Sequence, residues 1–162
     1  MEIYDVVDEN DKVIGKATRQ EVHDKKLIHR SVMFFIFDKK GRIFVTQRTK
    51  NKEFFKEYWS IGLGGHVLTE ETYEKAAIRE CKEETEIEGK PVFMGSFKQR
   101  IPEEKENVKV YAFYTDKFPK IDSFEIKQGK FMAMEEINEL LKKEKFLPET
   151  KELLKILKNF KK

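Results

Sequence analysis

The sequence predicts an α/β protein in which a mixed sheet lies between helices, and three observations carry that reading. Apolar or alternating segments of strand length recur along the chain. Amphipathic segments of helical period sit near residues 69 to 85 and beyond residue 134. The two kinds of segment are interleaved rather than grouped into separate blocks.

Residues 2 to 8 and 13 to 19 read as a hairpin around the turn-forming cluster Glu9-Asn10-Asp11-Lys12. A polar stretch, Gln20 to Lys26, carries His23, the first of three histidines; the others are His29 and His66. Residues 29 to 38 form a strongly apolar strand, Lys39 to Gly41 a turn, and Arg42 to Thr49 a second, alternating strand. These two are expected to make an antiparallel hairpin buried on at least one face. Residues 50 to 59 are an irregular aromatic approach to a glycine turn, ending in Trp59, which reads as a core anchor rather than a stacking platform. After a central acidic helix, 91 to 101 and 107 to 116 read as strands, with Glu103, Glu104 and Glu106 in an acidic loop between them. Phe124 to Ala133 gives another strand. Met134 to Lys143 and Glu149 to Phe160 read as amphipathic helices, the second introduced by Leu147-Pro148.

The chain has 162 residues, room for one domain with a real core, and no repeat or linker divides it. Against 30 acidic residues stand 33 basic ones, a net charge of +3, which argues against a dedicated nucleic-acid or membrane surface. A single cysteine cannot form an internal disulfide, and the longest apolar run, Val32 to Phe37, is too short to span a bilayer. Met1 to Val7 is acidic rather than signal-like, so a soluble cytoplasmic protein is expected.

The chemistry is concentrated in residues 64 to 87. Thr69 is the expected N-cap of the acidic helix, with Glu70 and Glu71 where the helix dipole favours negative charge. At about 100° per residue, Tyr73, Ala76, Ala77 and Cys81 share one sector that faces the core. Glu80 and Glu84 fall in that same sector and Glu83 at its edge. Burying unpaired carboxylates is costly, so these acids call for a cation. Three carboxylates at i, i+3 and i+4 suit Mg²⁺ or Mn²⁺, and Arg79 can neutralise one of them. A charged amphipathic helix would show the same acids. The upstream Gly64 and Gly65 favour a site, because a turn free of side chains can present carbonyls or amides to a metal or phosphate.

Gly65, Glu71, Arg79, Glu80, Glu83, Glu84 and Ile87 stand in register with the Nudix box, which this stretch resembles. Six fixed polar or glycine positions over 23 residues make the likeness specific. It implies a Nudix-type α/β/α sandwich and Mg²⁺-dependent hydrolysis of the pyrophosphate linkage of a nucleoside diphosphate or triphosphate derivative. It also implies metal held by Glu80, Glu83, Glu84 and a carbonyl at Gly65, and a catalytic set of Glu71, Arg79, Glu83 and Glu84, with Glu71 paired to Arg79. Gly64, Gly65, His66 and Glu104 are the implied substrate contacts. The general base in such proteins is a box glutamate or one on a distant loop, which makes Glu103, Glu104 and Glu106 candidates. Two positions depart from the pattern. Cys81 replaces an aliphatic residue, a mild change, and Glu86 replaces a glycine that would close the helix in a left-handed conformation. A helix running on to Gly89, just before Pro91, would avoid straining Glu86.

The wider chain resembles the Nudix branch related to isopentenyl-diphosphate isomerase. The likeness rests on Asp5-Val6-Val7-Asp8-Glu9, Gly15 to Arg19, Glu21-Val22-His23, His29-Arg30, Trp59, Gly65-His66 and Phe146 to Glu149. That enzyme uses a cysteine two residues before the histidine of its glycine turn, where this chain has Gly64. It binds metal through histidines resembling His23, His29 and His66; taken singly, each of these reads as a structural hydrogen-bonding residue, and together they offer a second or relocated metal site. Isomerase-like activity and a non-catalytic nucleotide-binding module are therefore the alternatives to hydrolysis. The expected partner is a small phosphorylated, nucleotide-derived molecule, and a homodimer is the commonest assembly.

Overall fold

The computed structural model describes residues 1–160; Lys161 and Lys162 of the expected 1–162 domain lie outside the described residues. The chain opens with β1 (Ile3–Val7), β2 (Val13–Thr18) and α1 (Arg19–Asp24), followed by β3 (His29–Phe37) and β4 (Ile43–Arg48). Two short strands, β5 (Trp59–Ser60) and β6 (Leu63–His66), lead into α2 (Tyr73–Thr85). Then come β7 (Val92–Arg100), β8 (Lys105–Tyr114), β9 (Ile126–Met132), α3 (Met134–Lys143) and α4 (Thr150–Asn159).

Alternation along β3 sets the architecture. Val32, Phe34 and Ile36 point to one face, where they pack with Ala76, Ala77 and Cys81 of α2. Phe35 and Phe37 point to the other, against Ile137 of α3 and Leu153 of α4. The parallel neighbour β8 repeats the division, with Tyr111 and Phe113 toward α2 and Val108, Val110 and Ala112 toward α4. A strand apolar on both faces must be covered on both, and this yields the mixed sheet between helices. The N-terminal hairpin adds a satellite core of Tyr4, Val6, Ala17 and Val22. Trp59 is buried as an anchor, and its indole N–H donates to Glu144 Oε1 at 3.3 Å.

The segments at 29 to 38 and 42 to 49 are antiparallel across their turn, as expected, but pair only there, Phe37 with Ile43; β3 also runs parallel to β8 over its whole length, a pairing that local pattern cannot reveal. The polar stretch after β2 forms α1, because Thr18 and Glu21 make a reciprocal capping box. Two expectations about α2 need correction. The cap of α2 is Thr72, which accepts from Lys75 N–H at 3.1 Å, rather than Thr69. Thr69 is engaged elsewhere, donating to Asp5 Oδ1 at 2.7 Å, and Glu70 at φ 66° cannot belong to a right-handed helix. The far end of α2 stops at Thr85 instead of running on to Gly89.

Glu86 closes α2 in the left-handed conformation, φ 61° and ψ 17°, with its N–H donating to Lys82 O. A side chain in that region carries about 1 kcal/mol of strain that glycine would not. Lys120 Nζ lies 3.0 Å from Glu86 Oε2, but the pair is exposed and offsets little of it. Among the described residues no helix is long and apolar enough to cross a membrane. Glu86→Gly is expected to raise the thermal midpoint by about 2 to 4 °C, measured by circular dichroism; an unchanged or lower midpoint would show that the cap is unstrained.

Candidate functional site

The inner face of α2 buries Ala76, Ala77 and Cys81 completely and brings Glu80 and Glu84 half-buried beside them. Glu83 stands at the solvent edge with 54% of its side chain exposed, as its place at the edge of the sector implies. Burial pushes Glu84 up to about 7, helped by the neighbouring carboxylates of Glu80 and Glu125. Burial also raises Glu80, although Arg79 pulls against it. Carboxylates crowded in this way lose their penalty when a divalent cation joins them, and their oxygens suit Mg²⁺ or Mn²⁺.

Gly65 makes room for this arrangement. A Cβ there would overlap the carboxylate of Glu80, so any side chain at this position would push that carboxylate off its place beside Arg79. Its strand, β6, lies antiparallel to β3 with Gly65 opposite Val32 and His66 opposite Ser31. Arg79 ties strand and helix together. It donates through Nε and Nη2 to the two oxygens of Glu71, both at 2.8 Å, through Nη2 to His66 O at 2.9 Å, and through Nη1 to Glu80 at 2.8 Å and Glu83 at 3.0 Å. Glu71 also accepts from Leu68 N–H at 3.0 Å, which fixes the loop before the helix.

The N-terminal hairpin holds that loop from outside. Besides accepting from Thr69, Asp5 faces Glu70 N–H at 3.4 Å. Asp11, itself left-handed at φ 64°, accepts from Tyr73 Oη, Arg30 Nε and Asn107 Nδ2 at 2.9 to 3.1 Å. The first residue of α2 is thereby pinned to the hairpin turn, to β3 and to β8.

A second cluster forms where β3, β6 and β8 lie side by side. Ligand atoms of His29, His66, Glu104 and Glu106 all fall within 4.8 Å of one another. His29 Nε2 is 3.5 Å from both Glu104 and Glu106, His66 Nε2 is 3.3 Å from Glu106, and His23 Nε2 is 3.4 Å from Glu104. Yet the buried Nε2 atoms of His29 and His66 have no hydrogen-bond partner among the described residues. Burial opposes charge on His29, but Glu104 and Glu106 outweigh it and lift the imidazole to about 9. Burial likewise opposes charge on Glu106, but His29 and His66 outweigh it and bring the carboxyl down to about 2. Two imidazoles and two carboxylates that converge without satisfying one another fit a divalent metal. Leu27 O, 3.0 Å from His29 Nδ1, fixes that ring from behind, and Tyr4 stacks on His66 at 4.8 Å.

Both clusters open on one cavity of about 280 Å³, lined by Gly64, Gly65, His66 and Glu84 on one side and by Glu104 and Glu106 on the other. Glu106 lies on β8 rather than in the acidic loop, because the strand begins at Lys105. Trp59 is absent from this lining, whereas Arg48, Gln99 and Glu149 belong to it. Sequence reasoning missed these three. Arg48 ends an alternating strand and Glu149 begins a helix, and neither position carries a local signal of burial.

The NUDIX domain family model matches residues 27–155. A protein of Streptomyces coelicolor named as an uncharacterized Nudix hydrolase is 42% identical over 56% of this chain and 50% of its own length. The chain spans about half the length of several such relatives. Isopentenyl-diphosphate Delta-isomerase 1 of Photorhabdus laumondii is 28% identical over 87% of this chain and 85% of its own. The crystal structure of the DR0079 protein of Deinococcus radiodurans superposes with a TM-score of 0.80 at 24% identity, covering 99% of this chain and all of that one.

Gly65→Ala should force Glu80 away from Arg79 and cost about 1 to 3 kcal/mol, read from denaturant unfolding; unchanged stability would mean the glycine is dispensable. Burial acts to raise Glu71, yet its bonds to Arg79 and Leu68 hold its carboxyl below the usual range. Its stabilisation is therefore complete above the unfolded value of about 4.3 and is lost as pH falls through the lowered folded value. Melting temperature should fall on acidification below that point, and less steeply in Glu71→Gln, which at pH 7 is expected to cost about 2 to 3 kcal/mol.

Proposed function

The chain belongs to the NUDIX domain family, and from that premise we propose that it hydrolyses the pyrophosphate linkage of a nucleoside diphosphate or triphosphate derivative with Mg²⁺ or Mn²⁺. The observation that carries this reading is the inward carboxylate of Glu84, with Glu80 half-buried one turn back, opening on the same cavity as His66, Glu104 and Glu106 of the histidine and glutamate cluster.

Glu80, Glu83 and Glu84, with a carbonyl of Gly64 or Gly65, are the residues proposed to hold the ion at the helix. His29, His66, Glu104 and Glu106 are proposed to hold a second. When bound, such an ion neutralises phosphate oxygens and acidifies a water. The chain's own residues then do the positioning. Arg79 fixes the carboxylates of Glu80 and Glu83, and Glu71 fixes Arg79. His66 and Glu104 line the cavity where the substrate is expected. Proton acceptance is proposed to fall to a box glutamate or to one of Glu103, Glu104 and Glu106, whichever carboxylate is left free of metal and within hydrogen-bond reach of the water.

Isomerase chemistry would need a proton-transferring thiol beside the cavity. Gly64 offers no side chain, and Cys81 is fully buried in the α2 core with its thiol pushed up to about 11.

The test is a panel of nucleoside diphosphate and triphosphate derivatives incubated with Mg²⁺ or Mn²⁺, scored for released phosphate or nucleoside monophosphate. Turnover should vanish on chelation. Glu84→Gln should lose about 3 kcal/mol of transition-state stabilisation, roughly 100-fold in kcat/KM, while its circular dichroism spectrum is retained. Tight binding without turnover would instead favour a nucleotide-binding module, and conversion of isopentenyl to dimethylallyl diphosphate would favour the isomerase.

A further inference from the structure

We propose that Arg48, Gln99 and Glu149 read the part of the substrate that is not phosphate, and that this part is an uncharged group presenting a hydrogen-bond donor beside an acceptor, as a nucleoside does and a hydrocarbon chain does not. The assignment rests on the hydrolase reading for the placement of the diphosphate near α2, and it adds what the rest of the cavity selects.

All three residues line the cavity. Glu149 is 8% exposed and its carboxylate accepts from Gln99 Nε2 at 3.2 Å, which leaves it acceptor capacity to spare. Arg48 donates through Nη2 to Phe54 O at 3.1 Å, but its Nε is buried with no hydrogen-bond partner among the described residues. An orphan donor and a buried carboxylate in one cavity cost free energy unless a ligand completes them.

The charge balance decides which ligand. Burial acts first on the Arg48 guanidinium, and the carboxylates of Glu149 and Glu125 oppose it. Lys52, on the same lining, is already paired with Glu125 Oε2 at 2.8 Å. Both cations therefore already answer carboxylates and leave no positive charge over for a phosphate, whose charge belongs at the metal-binding acids instead. An alkyl or isoprenoid chain would seal Arg48 Nε and Glu149 away from water and leave both unpaired. A neutral edge with its own N–H or O–H and a lone pair can answer both. Phe54, Phe55 and Phe97, on the same lining, give apolar faces for a flat ring. A nucleobase edge and the vicinal hydroxyls of ribose share this chemistry.

The experiment measures affinity by calorimetry, with Mg²⁺, for methylene-bridged analogues of three ligands: a nucleoside diphosphate, an abasic ribose 5-diphosphate and an isopentenyl diphosphate. The nucleoside analogue should bind at least about 100-fold more tightly than the isopentenyl one, because sites built around hydrogen bonds reject partners that lack them. Glu149→Leu, with a thermal midpoint close to wild type, should shrink that ratio to below about 10-fold. Should that variant fail to fold, Arg48→Lys supplies the same comparison, because lysine lacks the Nε donor. An abasic analogue that keeps the preference identifies the sugar hydroxyls as the group read; one that falls to the isopentenyl level identifies the base edge. Equal affinity for the nucleoside and isopentenyl analogues, or a ratio unmoved by either variant, would overturn the inference. Hydrolysis of the authentic nucleoside diphosphate, followed in parallel, reports on the catalytic reading alone: discrimination in binding without turnover would keep this assignment and remove the hydrolase.

Discussion

One guanidinium holds the centre of this molecule together. Arg79 has five N–H bonds to give, and five acceptors take them: both oxygens of Glu71, one each of Glu80 and Glu83, and the carbonyl of His66. Such complete use matters because the acceptors come from three different places: the loop before the helix, the helix itself and the glycine strand. Lysine has too few donors and the wrong shape to span them. Without this hub, Glu71 would keep only the Leu68 N–H, and Glu80 would be a half-buried charge without its guanidinium.

The two carboxylate groups around the cavity are set up by opposite means. At the helix, burial and mutual repulsion raise Glu80 and Glu84, so the acids there are reluctant anions. On β8, Glu106 is lowered because His29 and His66 face it, so that acid is a committed anion. A phosphorylated ligand between the two would meet negative charge on both sides, which only cations at one or both can reverse. Fold and chemistry are linked here through residues that packing alone would not choose.

Much of this was legible in the sequence, for physical reasons. Strand β3 announces burial on both faces because it is apolar without a break from Val32 to Phe37, and the acids at 80 and 84 stand out because their helical positions coincide with the packing stripe of Ala76, Ala77 and Cys81. What escaped depends on distant partners. Thr69, the expected cap, is taken up by Asp5 instead, and Thr72 caps the helix three residues later. Glu86 as a residue type gives no hint of the left-handed geometry it adopts; only the glycine that the box pattern has at this position does. His29 and Glu106 are 77 positions apart and meet because their strands run parallel, which no local period encodes.

That parallel alignment constrains how the protein can vary. His29 lies opposite Glu106, and Ser31, two places on, lies opposite both His66 and Val108. Side chains on a strand switch faces at every step, so an insertion of a single residue within β3 or β8 would turn part of this cluster to the wrong side. The turns that join the elements, such as 38 to 42 and 115 to 125, face no such restriction, since added length in a loop costs little closure entropy. Lineages of this chain should therefore tolerate extra residues in the connecting turns while keeping the spacing inside these two strands invariant.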